Sequence, residues 1–223
     1  MKEYFYLISS LHDLELDSQK KLPSLTDFLD FCESQLSEKE FLELKKVFIF
    51  NDILNVVKSN SGDSSPYIYP AFYTRETFLE NFKDTDDFFP FLSTYFSNKK
   101  AGKRDYPELQ ETDELFALFY ENLETLSKNR FITDYFRFEL DLRNTLTFLN
   151  MKKSNMDFKD YLVPFGDSYE RLSKTMNVEN SMPDIEVIVD SVNEGDIIAT
   201  ELMVDKVRWK WLEIGRASCR ERV

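Results

Sequence analysis

Between Phe131 and Leu149 the apolar residues recur at helical spacing, and two charges fall inside the stripe they make. On a 3.6-residue helix with Leu142 as reference, Phe131, Tyr135, Phe138, Leu146 and Leu149 lie within about 40° of it. Ile132, Phe136 and Leu140 widen the apolar arc on one side to about 160°. Glu139 then sits at about 60° and Arg143 at about 100°, where core residues belong. Asp134, Arg137, Asp141 and Asn144 take the opposite side, where water is expected. A segment of this pattern is a helix packed among other helices, with charge inside the packing.

Glu139 and Arg143 stand four residues apart with the acid N-terminal, the better orientation for an intrahelical pair. A single buried charge is very costly, so the spacing predicts that each side chain holds the other. Two roles fit such a pair. It fixes the register of neighbouring helices, or it forms an acid/base or ligand site.

The chain end carries a different signature. EIGRASCRERV, residues 213–223, back-translates in one frame through AGATCGGAAGAGC, the start of a widely used sequencing adapter. The segment is therefore expected to be a translated artefact, and the natural protein to continue beyond Leu212. Setting it aside removes Cys219 and leaves Cys32, which supports no intramolecular disulfide and fits a reducing compartment. His12 is the single histidine, so a two-histidine zinc motif is excluded. A formal charge of −13 argues against a general nucleic-acid binder and against adhesion to anionic lipid. No apolar run is long enough to span a bilayer, and MKEYFYLISSLHD does not read as a signal peptide.

Helical spacing dominates elsewhere, and the fold class expected is all-α. Leu25, Phe28, Leu29, Cys32 and Leu36 form one stripe, with Cys32 in the core. Ser37 and Glu40 make a capping box ahead of Phe41, Leu44 and Phe48. SNSGDSS, residues 59–65, reads as a loop, and PYIYPAFY, residues 66–73, as packed extended chain interrupted by prolines. A helix expected from Thr74 is disturbed at Pro90. SNKKAGKRDYPE, residues 97–108, is a basic connector that suggests sub-bundles at about 1–100 and 108–212 within one helical region, residues 1–212. Pro183 is expected to open a short helix carrying Ile185, Ile188, Val189 and Val192, with EGD, residues 194–196, separating it from the last. YFYLIS near the start fits a short strand or a helix.

Chemical motifs are scarce. Gly62, Gly102, Gly166 and Gly195 form no GxGxxG or Walker pattern, and no GxSxG, HExxH or paired CxxC occurs. PYIYPAFY could stack bases but has no basic companion. No catalytic, cofactor-binding or metal residue is assigned, and no cofactor is expected. The chain gives no positive signal for an enzyme.

Three stretches resemble a known family: KEYFYLISSL near the start, FELDLRNTLTFLNMKK, and VRWKWLE near the end. They look like the C-like proteins encoded beside bacterial V-type ATPase subunits. ELDLRN is also similar to the E-x-D-x-R-N pattern of the C-type adaptor subunit of V/A-type ATPases, the d-type in eukaryotes, which ends in a lysine nine residues after the asparagine. In this chain the pattern falls on Glu139, Asp141, Arg143, Asn144 and Lys153. The resemblance implies a non-catalytic, all-helical repeat bundle, truncated here at its C-terminus, that couples the central shaft of the soluble head to the membrane rotor ring during ion transport. It implies central-stalk and rotor-ring subunits as partners, no nucleic acid, and a cytoplasmic place with only indirect membrane contact through the ring. On that reading Glu139 and Arg143 hold helices in register. An unrelated helical scaffold, or a helical hydrolase using Glu139 as acid or base, are the alternatives.

Overall fold

Every regular element among the described residues is a helix, as the spacing of apolar residues requires. The structure, a computed structural model, describes residues 23–62, 65–81, 88–178 and 185–220. YFYLIS, His12 and Pro183 lie outside them. The elements are α1 (Leu25–Gln35), α2 (Glu38–Lys45), α3 (Ile49–Ser61), α4 (Arg75–Asn81), α5 (Pro90–Lys100), α6 (Glu111–Glu121), α7 (Leu123–Leu126), α8 (Arg130–Lys153), α9 (Gly166–Thr175), α10 (Ile185–Glu194) and α11 (Ile197–Arg220). Short 3-10 turns occupy Lys46–Phe48 and Lys159–Tyr161.

Local signals set several boundaries as the sequence predicts. Ser24 caps α1 by accepting from the Asp27 amide, and Cys32 is buried on its inner face. The Glu40 carboxylate reaches back to the Ser37 amide at 3.0 Å, closing the capping box of α2. Two boundaries differ from expectation. Pro90 begins α5 instead of disturbing a helix, because the first helical position needs no N–H donor. Ser59, Asn60 and Ser61 belong to α3, which ends where Gly62 takes the left-handed conformation at φ +70°. Asn60 is held there by a 2.7 Å bond from its Nδ2 to the Tyr95 hydroxyl.

PYIYPAFY is not helical, and α3 supplies the hydrogen bonds that a neighbouring strand would otherwise give. Asn55 brackets Ile68, accepting from its amide at 2.8 Å and donating to its carbonyl at 3.1 Å. Asn51 donates to the Pro70 carbonyl at 2.7 Å and Lys58 to that of Pro66 at 2.7 Å. Asp52, fully buried, accepts from the amides of Phe72 at 2.8 Å and Tyr73 at 3.1 Å.

Burial pushes the Asp52 carboxyl up to about 7, against the opposing pull of those two amides and of Lys45. A folded-state value above the unfolded one means the folded chain keeps a proton that the unfolded chain releases. That contribution to stability is complete below the usual carboxylate range and is lost as pH rises through about 7. The stability difference between the chain and its Asp52→Asn variant should therefore move in the variant's favour by about 4 kcal/mol between about pH 4 and about pH 8. Urea melts of both proteins across that range measure it, and a difference independent of pH would contradict this account.

Two apolar clusters are found among the described residues. The first gathers Ile49, Ile53, Phe91, Leu115, Phe119 and Phe136. Its aromatic rings meet edge to face, Phe119 lying 4.9 Å from Phe136 and 5.5 Å from Phe91. The second gathers Leu142, Leu149, Leu162, Ile188, Val204 and Val207. The basic connector lies within the first, since α5 and α6 on either side of it both contribute to that cluster. The two clusters divide along α8: Ile132, Phe136 and Leu140 serve one, Phe138, Leu142 and Leu149 the other. The wide apolar arc read from the sequence is therefore two faces of one 24-residue helix, about 36 Å long, packed from both sides.

Candidate functional site

The polar residues singled out on α8 reach across to four other parts of the fold. Glu139 is buried, at 7% exposure, and both of its carboxylate oxygens accept from the Arg208 guanidinium of α11 at 2.8 and 3.0 Å. This is a two-point match of planar groups, stronger and more directional than a single contact. Burial works against the charge on Arg208, but hydrogen bonding and attraction to Glu139 outweigh it and raise its pKa. The Tyr135 phenol, one turn before Glu139, is pushed up to about 12 by burial and then by the Glu139 carboxylate.

Arg143 turns the other way. Its Nη2 donates to Asp113 of α6 at 2.5 Å, and its guanidinium lies 4.1 Å from the centre of the Phe116 ring. The expected pair between Glu139 and Arg143 does not form. The two side chains stand only about 40° apart on the helix, but different helices approach there, and each finds a partner across a helix interface. Those partners are 69 and 30 residues away in sequence.

Asp141 and Asn144 converge on the turn before α9 and on its first residues. Asp141 accepts from the Ser168 amide at 2.9 Å, one of the unpaired donors of that helix start. Asn144, fully buried, accepts from the Val163 amide at 2.9 Å and donates to its carbonyl at 3.0 Å. Gly166, at φ +80°, lets the chain approach α8 closely: a Cβ there would meet the Leu140 side chain at 3.0 Å and Asp141 at 3.1 Å. Lys153, in the last turn of α8, donates to the Val192 carbonyl at 2.5 Å, near the C-terminus of α10. Gly195 leaves the space for it, since a Cβ at that position would lie 2.9 Å from Nζ.

All five positions of the pattern thus tie α8 to another part of the fold. A general acid or base needs a carboxyl oxygen able to reach a substrate, and both oxygens of Glu139 are held by Arg208. A cleft of about 620 Å³ opens beside the pair, between the second half of α8 and the α10–α11 corner, and Arg208 lines it while Glu139 does not. Among the described residues no group of three histidine, cysteine, aspartate or glutamate side chains could hold a metal ion. Nor is any helix among them long and apolar enough to cross a membrane.

Sequence reasoning missed Asp113, Arg208 and Asp52. Asp52 carries a legible signal, since it lies between Ile49 and Ile53 on the buried face of one helix. Arg208 lies within VRWKWLE, but its spacing alone does not point to Glu139. Residues 1–218 match a family described as "Protein of unknown function (DUF2764)". No curated protein and no solved structure matches the chain.

Proposed function

The chain belongs to the family described as protein of unknown function (DUF2764), and we propose that it acts as a non-catalytic adaptor subunit of a V/A-type rotary ATPase. In that role it couples the central shaft of the soluble head to the membrane rotor ring during ion transport, on the cytoplasmic side. The observation that carries the reading is the use made of Glu139, Asp141, Arg143, Asn144 and Lys153. The resemblance to the C-type adaptor of these machines rests on these residues, and together they bond α8 to α6, α10, α11 and the segment that opens α9. A part that transmits torque must resist sliding of its helices. Directional polar ties along one long helix, set between two apolar clusters, provide that resistance.

Pull-down of separately expressed central-stalk and rotor-ring subunits by the purified chain tests the proposal. The expected result is stoichiometric association with at least one of them and no retention of ATP in equilibrium dialysis. Stoichiometric ATP binding without any such association would sink it. Genes for ATPase head and ring subunits are the neighbourhood expected beside this one.

A further inference from the structure

We propose that the outward face of α11 pairs with the same face of a second copy of the chain, the two helices running parallel about a two-fold axis. The inference stands apart from the ATPase reading, because the ties of α8 reach the inward side of α11 and not this face. Ile198, Leu202, Asp205, Trp209 and Leu212 follow one another at alternating spacings of four and three residues, which keeps them on one seam along the helix. Ile198 is 80% exposed, Leu202 49% and Leu212 37%. Trp209, half-buried, stands about 160° around the helix from Trp211. Val204, Val207 and Trp211 face the second apolar cluster, so the fold lies behind α11 and leaves the seam open. A helix apolar on two opposite sides has one side without a partner in the single chain.

Charge selects a second copy and sets its direction. In a parallel pair, the residue just before one seam position meets, on the other helix, the residue five places further on. Those residues are Glu201, beside Leu202, and Lys206, beside Asp205. Both are exposed, and neither side chain has an ion pair among the described residues. The two-fold axis sets each Glu201 against the partner's Lys206, so the same attraction is made twice. An antiparallel pair brings like flanks together instead, Glu201 and Asp205 against their own copies. Asp205 interrupts the seam, and its charge is balanced within the helix by Arg208, whose Nη1 lies 3.2 Å away. A polar residue at such a position weakens the pair but fixes its register.

Sedimentation equilibrium of the full chain tests the proposal. A reversible monomer–dimer equilibrium is expected. The double variant Leu202→Ser/Trp209→Ser should weaken it about tenfold or more, and Asp205→Leu should tighten it about tenfold. Glu201→Lys and Lys206→Glu should each weaken it roughly fivefold or more, because each sets like charges together twice. An equimolar mixture of those two variants, or one chain carrying both changes, should pair as the parent does, since either restores opposite charges. All these side chains lie on the outward face, so unchanged circular dichroism separates lost pairing from lost fold. The proposal is overturned by a parent chain that stays monomeric at its highest soluble concentration, or by a dimer that the serine variant leaves intact. It is equally overturned if Lys206→Glu pairs as the parent does, or if the combined charge changes fail to restore the dimer.

Discussion

Replacing Arg208 with methionine is expected to cost roughly 3–5 kcal/mol of folding stability, because it strands the buried Glu139 carboxylate without a cation. The reverse change should cost less. Glu139→Gln leaves Arg208 with its side chain 39% exposed, and Asp205 still accepts from Nη1 at 3.2 Å. Water and that second carboxylate compensate the guanidinium, so about 1–3 kcal/mol is expected. The double variant Glu139→Leu/Arg208→Leu removes both desolvation penalties together and should lie close to the parent, giving a large coupling energy. Denaturant melts of the four proteins supply the cycle. A parallel cycle between Glu139 and Arg143 should show coupling well under about 1 kcal/mol, since they share no bond and have different partners. A Glu139→Gln variant as stable as the parent would count against the tie and for a functional carboxyl.

Asn144→Leu should also be damaging, at roughly 1–3 kcal/mol. Asn144 and Val163 are both fully buried, and the carboxamide oxygen is what satisfies the Val163 amide. A leucine of similar shape strands the Val163 amide, whereas the carbonyl keeps the Phe165 amide at 2.8 Å. The Asn144→Asp variant separates the two bonds. An ionised aspartate still accepts from the amide but turns a negative oxygen toward the carbonyl, whereas a protonated one can donate to it. Its cost should thus rise with pH, from acid toward neutral, in urea melts measured against the parent at each pH. An Asn144→Leu variant within about 0.5 kcal/mol of the parent would contradict the role given to this residue.

The helical class, the capping box at Ser37, the burial of Cys32 and the stop at Gly195 were legible because each depends on residues within a turn or two of one another. Periodicity also placed Glu139 and Arg143 inside the apolar arc of α8, and it correctly marked them as charges in need of partners. Which partners they take was not a local matter. An i, i+4 partner and a partner on the next helix are both within reach of a long side chain. The choice falls to whichever helix approaches each side of the arc, and that is set by how the two apolar clusters pack around α8. Packing brings α11 against the Glu139 side and α6 against the Arg143 side, so the bonds form across the interfaces. The same reason hid Asp52, whose role exists only because the proline-broken segment 66–73 folds back onto α3 and leaves its amides in need of an acceptor. Sequence determined which residues must find a partner; tertiary packing determined which partner each one met, because a hydrogen bond requires contact and contact between distant segments is created by the fold.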